Sequence, residues 1–227
     1  IKRILFYPFM ILRALFCIGD LRKLGHRSPG EMVNFVYNGY NGVIRPFQVK
    51  SELIELVKIA DSMKPKVVLE IGTATGGTLF LFSRTAQPGA SVISIDLPYG
   101  RFGGGYAFWR IPIYKAFALE RQRIDLVRMD SHLISTYDKV KSLLGEDGVD
   151  LLYIDGDHTY AGVKKDFEMY APLVRNGGLI VLHDVSAQPV ETGCEVNRFW
   201  EEIKAGYRYR EIMNERGRAG GIGIIYA

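Results

Sequence analysis

Cysteine is scarce: Cys17 and Cys194 are the only two in 227 residues. Two thiols cannot build the disulfide framework of a small secreted scaffold, so a reducing, cytoplasmic setting is expected. A long apolar run is lacking as well. The most apolar segment, Ile4 to Ile18, contains Pro8 and Arg13 and is shorter than the roughly 20 residues of a spanning helix. No small-residue cleavage site follows it, which argues against a secretory signal. There is no internal repeat and no low-complexity tract. With 48% hydrophobic and 24% charged residues the chain reads as globular. At this length, folding buries roughly 70% of the surface that the unfolded chain exposes, enough for a core without staples.

A strong charge of one sign is also missing from most of the chain. The net charge is +4, but residues 1–50 carry eight bases and two acids. The remaining 177 residues hold 21 bases and 23 acids, a net charge of −2. No basic field or aromatic–basic motif for nucleic acid survives that division. The first 50 residues therefore form an apolar and basic N-terminal extension. Two readings of its start remain open. One is a helix packed on the domain or on a second subunit of a homo-oligomer. The other is an interfacial helix, within residues 1–27, lying on the inner face of a membrane, with Lys2, Arg3, Arg22 and Lys23 toward the headgroups.

From Ser51 the text becomes an alternation. Short apolar runs lie at Lys66–Ile71, Ser91–Asp96, Ile124–Met129, Val149–Asp155 and Gly178–His183. Helical patterns separate them, at about 76–86, 107–121, 136–144 and 160–174, with another near 195–205. Runs apolar at every position suit parallel strands covered on both faces. Five of them with crossovers specify a doubly wound α/β sheet. Tyr207–Met213 and Ile222–Tyr226 add a C-terminal antiparallel hairpin, giving a mostly parallel, seven-stranded sheet.

The first run leads straight into Gly72-Thr73-Ala74-Thr75-Gly76-Gly77 and a helix start. Gly72 permits a tight turn, and Gly76 is expected to let the backbone approach a ligand. Asp96 ends the next strand, 24 residues after Gly72, where an acid can hold ribose hydroxyls. A dinucleotide site would have a second glycine at position 74, which is alanine here. Glu70 would repel a pyrophosphate but suits a cationic ligand. Beyond the fourth and fifth strands stand Asp155-Gly156-Asp157-His158 and His183-Asp184. In open α/β sheets ligands bind past the carboxyl ends of the strands, so these groups can converge. Two carboxylates with an imidazole suit a divalent cation: magnesium, or manganese if a histidine joins.

The Glu70-Ile71-Gly72-x-x-x-Gly76 form resembles the first motif of class I S-adenosylmethionine-dependent methyltransferases. That resemblance implies cofactor contacts at Glu70, Gly72, Thr73, Gly76, Asp96, Asp130, Ser131 and Asp155. The stretches Tyr153–Tyr160, Lys164–Tyr170, Gly177–Asp184 and Arg198–Ile203, with the insert Asp96–Tyr106, resemble a narrower branch. It is the small family grouped with cephalosporin-hydroxylase-like and sugar or macrolide O-methyltransferases. In its metal-dependent members an acid ending the fourth strand and an acid pair ending the fifth bind the metal, and a histidine three residues after the first acid is the general base. Asp155, Asp184 and His158 match those positions. His183 stands where the pair would have its other acid, a departure from the family's pattern, so the ligand set that the resemblance implies is Asp155, His183 and Asp184. The implied activity is transfer of a methyl group to a hydroxyl of a small acceptor, such as a sugar, a glycosylated or a lipid-linked metabolite. The insert with Gly103-Gly104-Gly105 has the length of a substrate lid. Cys194 shows no activating partner, and a nucleophilic role is not expected. Two alternatives are a nucleotide-dependent oxidoreductase on a similar sheet and a non-catalytic cofactor-binding or assembly protein.

Overall fold

The structure, a computed structural model, describes residues 18, 19, 21, 24, 25, 27–119, 121–214 and 220–227. The expected N-terminal membrane or subunit contact, Cys17 and the flanking bases Lys2, Arg3, Arg22 and Lys23 lie outside the described residues. Helix α1 (Pro29–Asn38) starts on a capping box in which Ser28 and Glu31 satisfy each other's backbone amides, with Pro29 in the first turn. Its buried Met32, Val33 and Val36 enter the core beside Leu53, Leu56 and Val57 of α2 (Lys50–Met63). Farther along the chain, the guanidinium of Arg84, itself buried, donates to the carbonyls of Leu21 and Leu24.

The apolar runs form β1 (Val67–Ile71), β2 (Ser91–Ile95), β3 (Arg123–Val127), β4 (Val149–Ile154) and β5 (Val174–His183). Every residue of β1 and β4 is buried, as expected for central parallel strands. Helices α3 (Gly77–Thr85), α5 (Ile134–Leu144) and α6 (Tyr160–Tyr170) serve as crossovers, and α4 (Ile111–Lys115) is a short one between β2 and β3. After α7 (Val196–Ile203), β6 (Arg208–Ile212) and β7 (Ile222–Tyr226) pair antiparallel, and β7 also pairs antiparallel with β5. The order β3-β2-β1-β4-β5-β7-β6 is the doubly wound, seven-stranded sheet that the sequence predicts. One core lies on each face. The order reverses between β1 and β4, so a crevice opens past their carboxyl ends.

One element differs from expectation. A helix predicted over 107–121 is only a 3-10 turn at Phe108–Arg110 followed by α4. The Ala116 and Phe117 amides tighten to i−3 carbonyls, and the side chain of Gln122 takes the Leu119 amide at 2.9 Å. No helix among the described residues is long and apolar enough to cross a membrane.

Candidate active site

The turn after β1 is built by its glycines. Gly72 has φ +102°, and a Cβ there would sit 2.1 Å from the Asp155 carbonyl oxygen, so only glycine lets β1 and β4 close together. Ala74 is held at φ +41° by two bonds. Its N–H donates to Asp96 at 2.6 Å, and its carbonyl accepts from the Tyr114 hydroxyl at 2.8 Å. Gly76 has a packing reason of its own. A Cβ there would meet the Tyr114 ring at 2.5 Å, and the residue lines neither cavity; it makes room for an aromatic side chain of the protein itself.

Two cavities flank this turn. The first, about 240 Å3, is walled by Ile71, Ile95, Leu97 and Met129 and carries Asp96, Asp130 and Ser131. Apolar walls with a few acceptors at the edge suit a nucleoside, with Asp96 placed at the end of β2. Burial raises the Asp96 pKa, while amides of Ala74, Gly105 and Thr73 work against that rise. Asp130 folds back to accept from the His132 amide at 2.8 Å, and the Ser131 carbonyl accepts from Tyr170 at 2.8 Å. His132 lines the same wall and reaches Asp166 at 3.3 Å; that contact raises its pKa.

The second cavity, about 190 Å3, shares Gly72, Ala74, Phe102 and Asp155 with the first. It is lined also by Thr73, Gln48, His158, His183 and Asp184. The two ring systems and two carboxylates that the sequence sets at the ends of β4 and β5 meet here. Asp155 Oδ1 lies 3.0 Å from His183 Nδ1 and 3.4 Å from His158 Nε2. Asp184 Oδ2 lies 2.9 Å from His158 Nδ1 and 3.4 Å from His183 Nδ1. Asp184 reaches that position from a left-handed backbone, φ +61°, which aspartate tolerates better than most residues. Burial disfavours charge on every member. The carboxylates nevertheless raise both imidazoles, and the imidazoles hold both carboxylates below their usual range. Asp155, His183 and Asp184 each offer one ligand atom, all within 4.8 Å of one another. That donor set fits a divalent cation.

Glu70 stands apart from the expected contacts. It is fully buried, accepts from the hydroxyls of Thr78 and Ser94, and lines neither cavity. Its carboxyl supports the turn from behind. Three contributors escape sequence reasoning. Gln48 donates its side-chain amide to Asp155 Oδ2. It arrives on residues 43–48, which cross the glycine turn: Thr75 donates to the Arg45 carbonyl at 2.8 Å, and Gly77 leaves room for Ile44 and Pro46. Phe102, from the predicted lid, stacks on His158 with centroids 4.9 Å apart and planes 9° from parallel. Cys194, expected to lack a partner, lies beside His158 and Asp184.

This sheet order, with a glycine turn after β1, an acid ending β2 and a cavity past the strand ends, defines a class I S-adenosylmethionine-dependent methyltransferase fold. Residues 69–185 match the family described as "Methyltransferase domain", and the chain belongs to that family. It is 27% identical over 150 residues to the uncharacterized protein y4gI of Sinorhizobium fredii, covering 65% of this chain but only 16% of that relative. Among solved structures it is similar to an O-methyltransferase from Bacillus cereus in complex with SAH, at 20% identity and TM-score 0.53, covering 90% of this chain and 93% of that one. It is also similar to the O-methyltransferase TomG of Streptomyces achromogenes, involved in tomaymycin synthesis and solved with SAM. There identity is 16% and TM-score 0.52, with 90% and 92% covered. At these identities the structural likeness establishes the fold.

Proposed function

We propose that the protein transfers the methyl group of S-adenosylmethionine to a hydroxyl of a small acceptor, of the sugar, glycosylated or lipid-linked class. The observation that carries this reading is the meeting of Asp155, His158, His183 and Asp184 in the second cavity, with Asp155 also lining the first. A nucleoside in the first cavity would put the sulfonium substituents near Gly72, Ala74 and Asp155, which both cavities share. S-adenosylmethionine supplies an electrophilic methyl group, so the protein has to orient an acceptor oxygen and remove its proton. Asp155, His183 and Asp184 would hold a divalent cation. When bound, such an ion would lower the pKa of an acceptor hydroxyl and draw off the carboxylate charge that keeps His158 protonated.

His158 is the proton acceptor in this reading. Its two ring nitrogens face Asp155 and Asp184, and Phe102 covers one face against water. Gln48 and Tyr153 fix the other oxygen of Asp155, and Gln188 fixes Asp184 at 3.1 Å. The test couples calorimetry of S-adenosylmethionine binding to transfer of labelled methyl onto a panel of small glycosides and other hydroxylated acceptors, with magnesium or with chelator. Cofactor binding and magnesium-dependent labelling of a hydroxyl are expected. Cofactor binding with no labelling of any acceptor would favour a binding protein, and tight NAD binding in its place would favour an oxidoreductase.

A further inference from the structure

The cluster past β4 and β5 changes character on the side of Cys194. The loop that carries this residue is fastened to the turn of His158. Glu195 N–H donates to the His158 carbonyl at 2.8 Å, and the Glu195 carboxylate accepts from Tyr160 N–H at 3.4 Å. Cys194 N–H in turn donates to Thr192 Oγ1 at 3.1 Å. The thiol sulfur, a ring nitrogen of His158 and a carboxylate oxygen of Asp184 are thereby held within 4.8 Å of one another. Cys194 is a free thiol and only half-buried, so a small ion can reach it from solvent.

Sulfur, nitrogen and oxygen donors select a different ion from two carboxylates and an imidazole. Magnesium and manganese favour oxygen, whereas a thiolate with an imidazole favours zinc. Zinc also commonly takes three protein ligands and leaves its fourth position open.

We propose that His158, Asp184 and Cys194 form a zinc site, which shares Asp184 with the triad of Asp155, His183 and Asp184 but differs from it in its other two ligands and in metal preference. As the sulfur–zinc bond forms, the thiol gives its proton to solvent. Both triads draw on Asp184, so zinc here competes with a cation in the other. Zinc also occupies the imidazole that accepts the proton in the proposed function, and on that reading it inhibits transfer. The zinc site itself does not rest on that reading.

The test uses the full chain in a Cys17→Ser background, titrated with cobalt(II). A near-ultraviolet sulfur-to-cobalt charge-transfer band is expected, abolished by stoichiometric zinc and weakened only by excess magnesium, which competes through Asp184. Cys194→Ser in the same background removes the band and weakens zinc binding at least tenfold, measured by competition with a chromophoric chelator; its thermal melt checks the fold. A second measurement needs no substitution at the site: zinc, but not magnesium, slows alkylation of Cys194 by iodoacetamide at least tenfold. A cobalt complex without the band, zinc affinity equal within twofold in the two proteins, or unprotected alkylation would overturn the site. Absence of the band from the Cys17→Ser protein, with transfer intact, overturns the zinc site alone. A band without any transfer overturns the proposed function alone.

Discussion

Glu70 and Asp155 are carboxylates of neighbouring parallel strands, one inside the end of β1 and the other just past β4, yet their surroundings drive them in opposite directions. Glu70 is met by two hydroxyls, and burial pushes its pKa up to about 8. Asp155 is nearly as buried, but two imidazoles face it and hold its carboxyl below the usual range despite that burial. A hydroxyl dipole does not offset the desolvation of a carboxylate at pH 7, whereas a neighbouring imidazolium does. The first acid is therefore part of the scaffold. The second keeps its charge.

The largest effect expected from this contrast is on stability. The folded Glu70 carboxyl titrates near pH 8, well above its value in the unfolded chain, so its contribution is complete below about pH 4.5. It is lost as pH rises toward 8 and stays lost above that. Glu70→Gln removes this dependence. Relative to the variant, the wild type should lose about 3 kcal/mol between pH 4.5 and pH 8.5, from roughly 1.4 kcal/mol per pKa unit with allowance for relaxation. Urea unfolding at each pH measures the difference; parallel profiles would mean that Glu70 is ionised in the folded protein.

A smaller effect is expected beside Asp155. Gln48→Ala removes a neutral donor from a carboxylate still faced by two imidazoles. Transfer should fall about three- to tenfold, in line with the 0.5–1.5 kcal/mol typical of one hydrogen bond. Cofactor affinity should change less than twofold by calorimetry. An equal loss of cofactor affinity would place Gln48 at the cofactor.

The same contrast explains what could be read from the sequence. The strands of the parallel sheet and the final hairpin are legible because short, largely apolar or β-branched and aromatic runs alternate with helical patterns or turns. Asp155, His158, His183 and Asp184 are legible because sheet topology brings strand ends together whatever the side chains between them. The direction of the Glu70 side chain is not legible, because β1 is covered on both faces and no alternation tells which way it points. The packing of Gly76 against Tyr114, 38 residues on, is not legible, because no local pattern records it. Gln48 and Cys194 come from segments without a motif, folded over the site by contacts with the glycine turn and the His158 turn. The doubled glycine at 76–77 holds the one local hint, since Gly77 is where residues 44–46 cross.

If the charge held at the end of β4 serves methyl transfer rather than folding, its removal should spare the fold and the cofactor and stop the reaction. Asp155→Asn tests this most directly, through cofactor binding by calorimetry and label transfer from S-adenosylmethionine on the same preparation. Cofactor affinity should stay within about fivefold of wild type, roughly 1 kcal/mol. Transfer should fall by about 10²- to 10⁴-fold, the range for removing a group that supports acid–base chemistry. Transfer within twofold of wild type, with the cofactor bound, would contradict this.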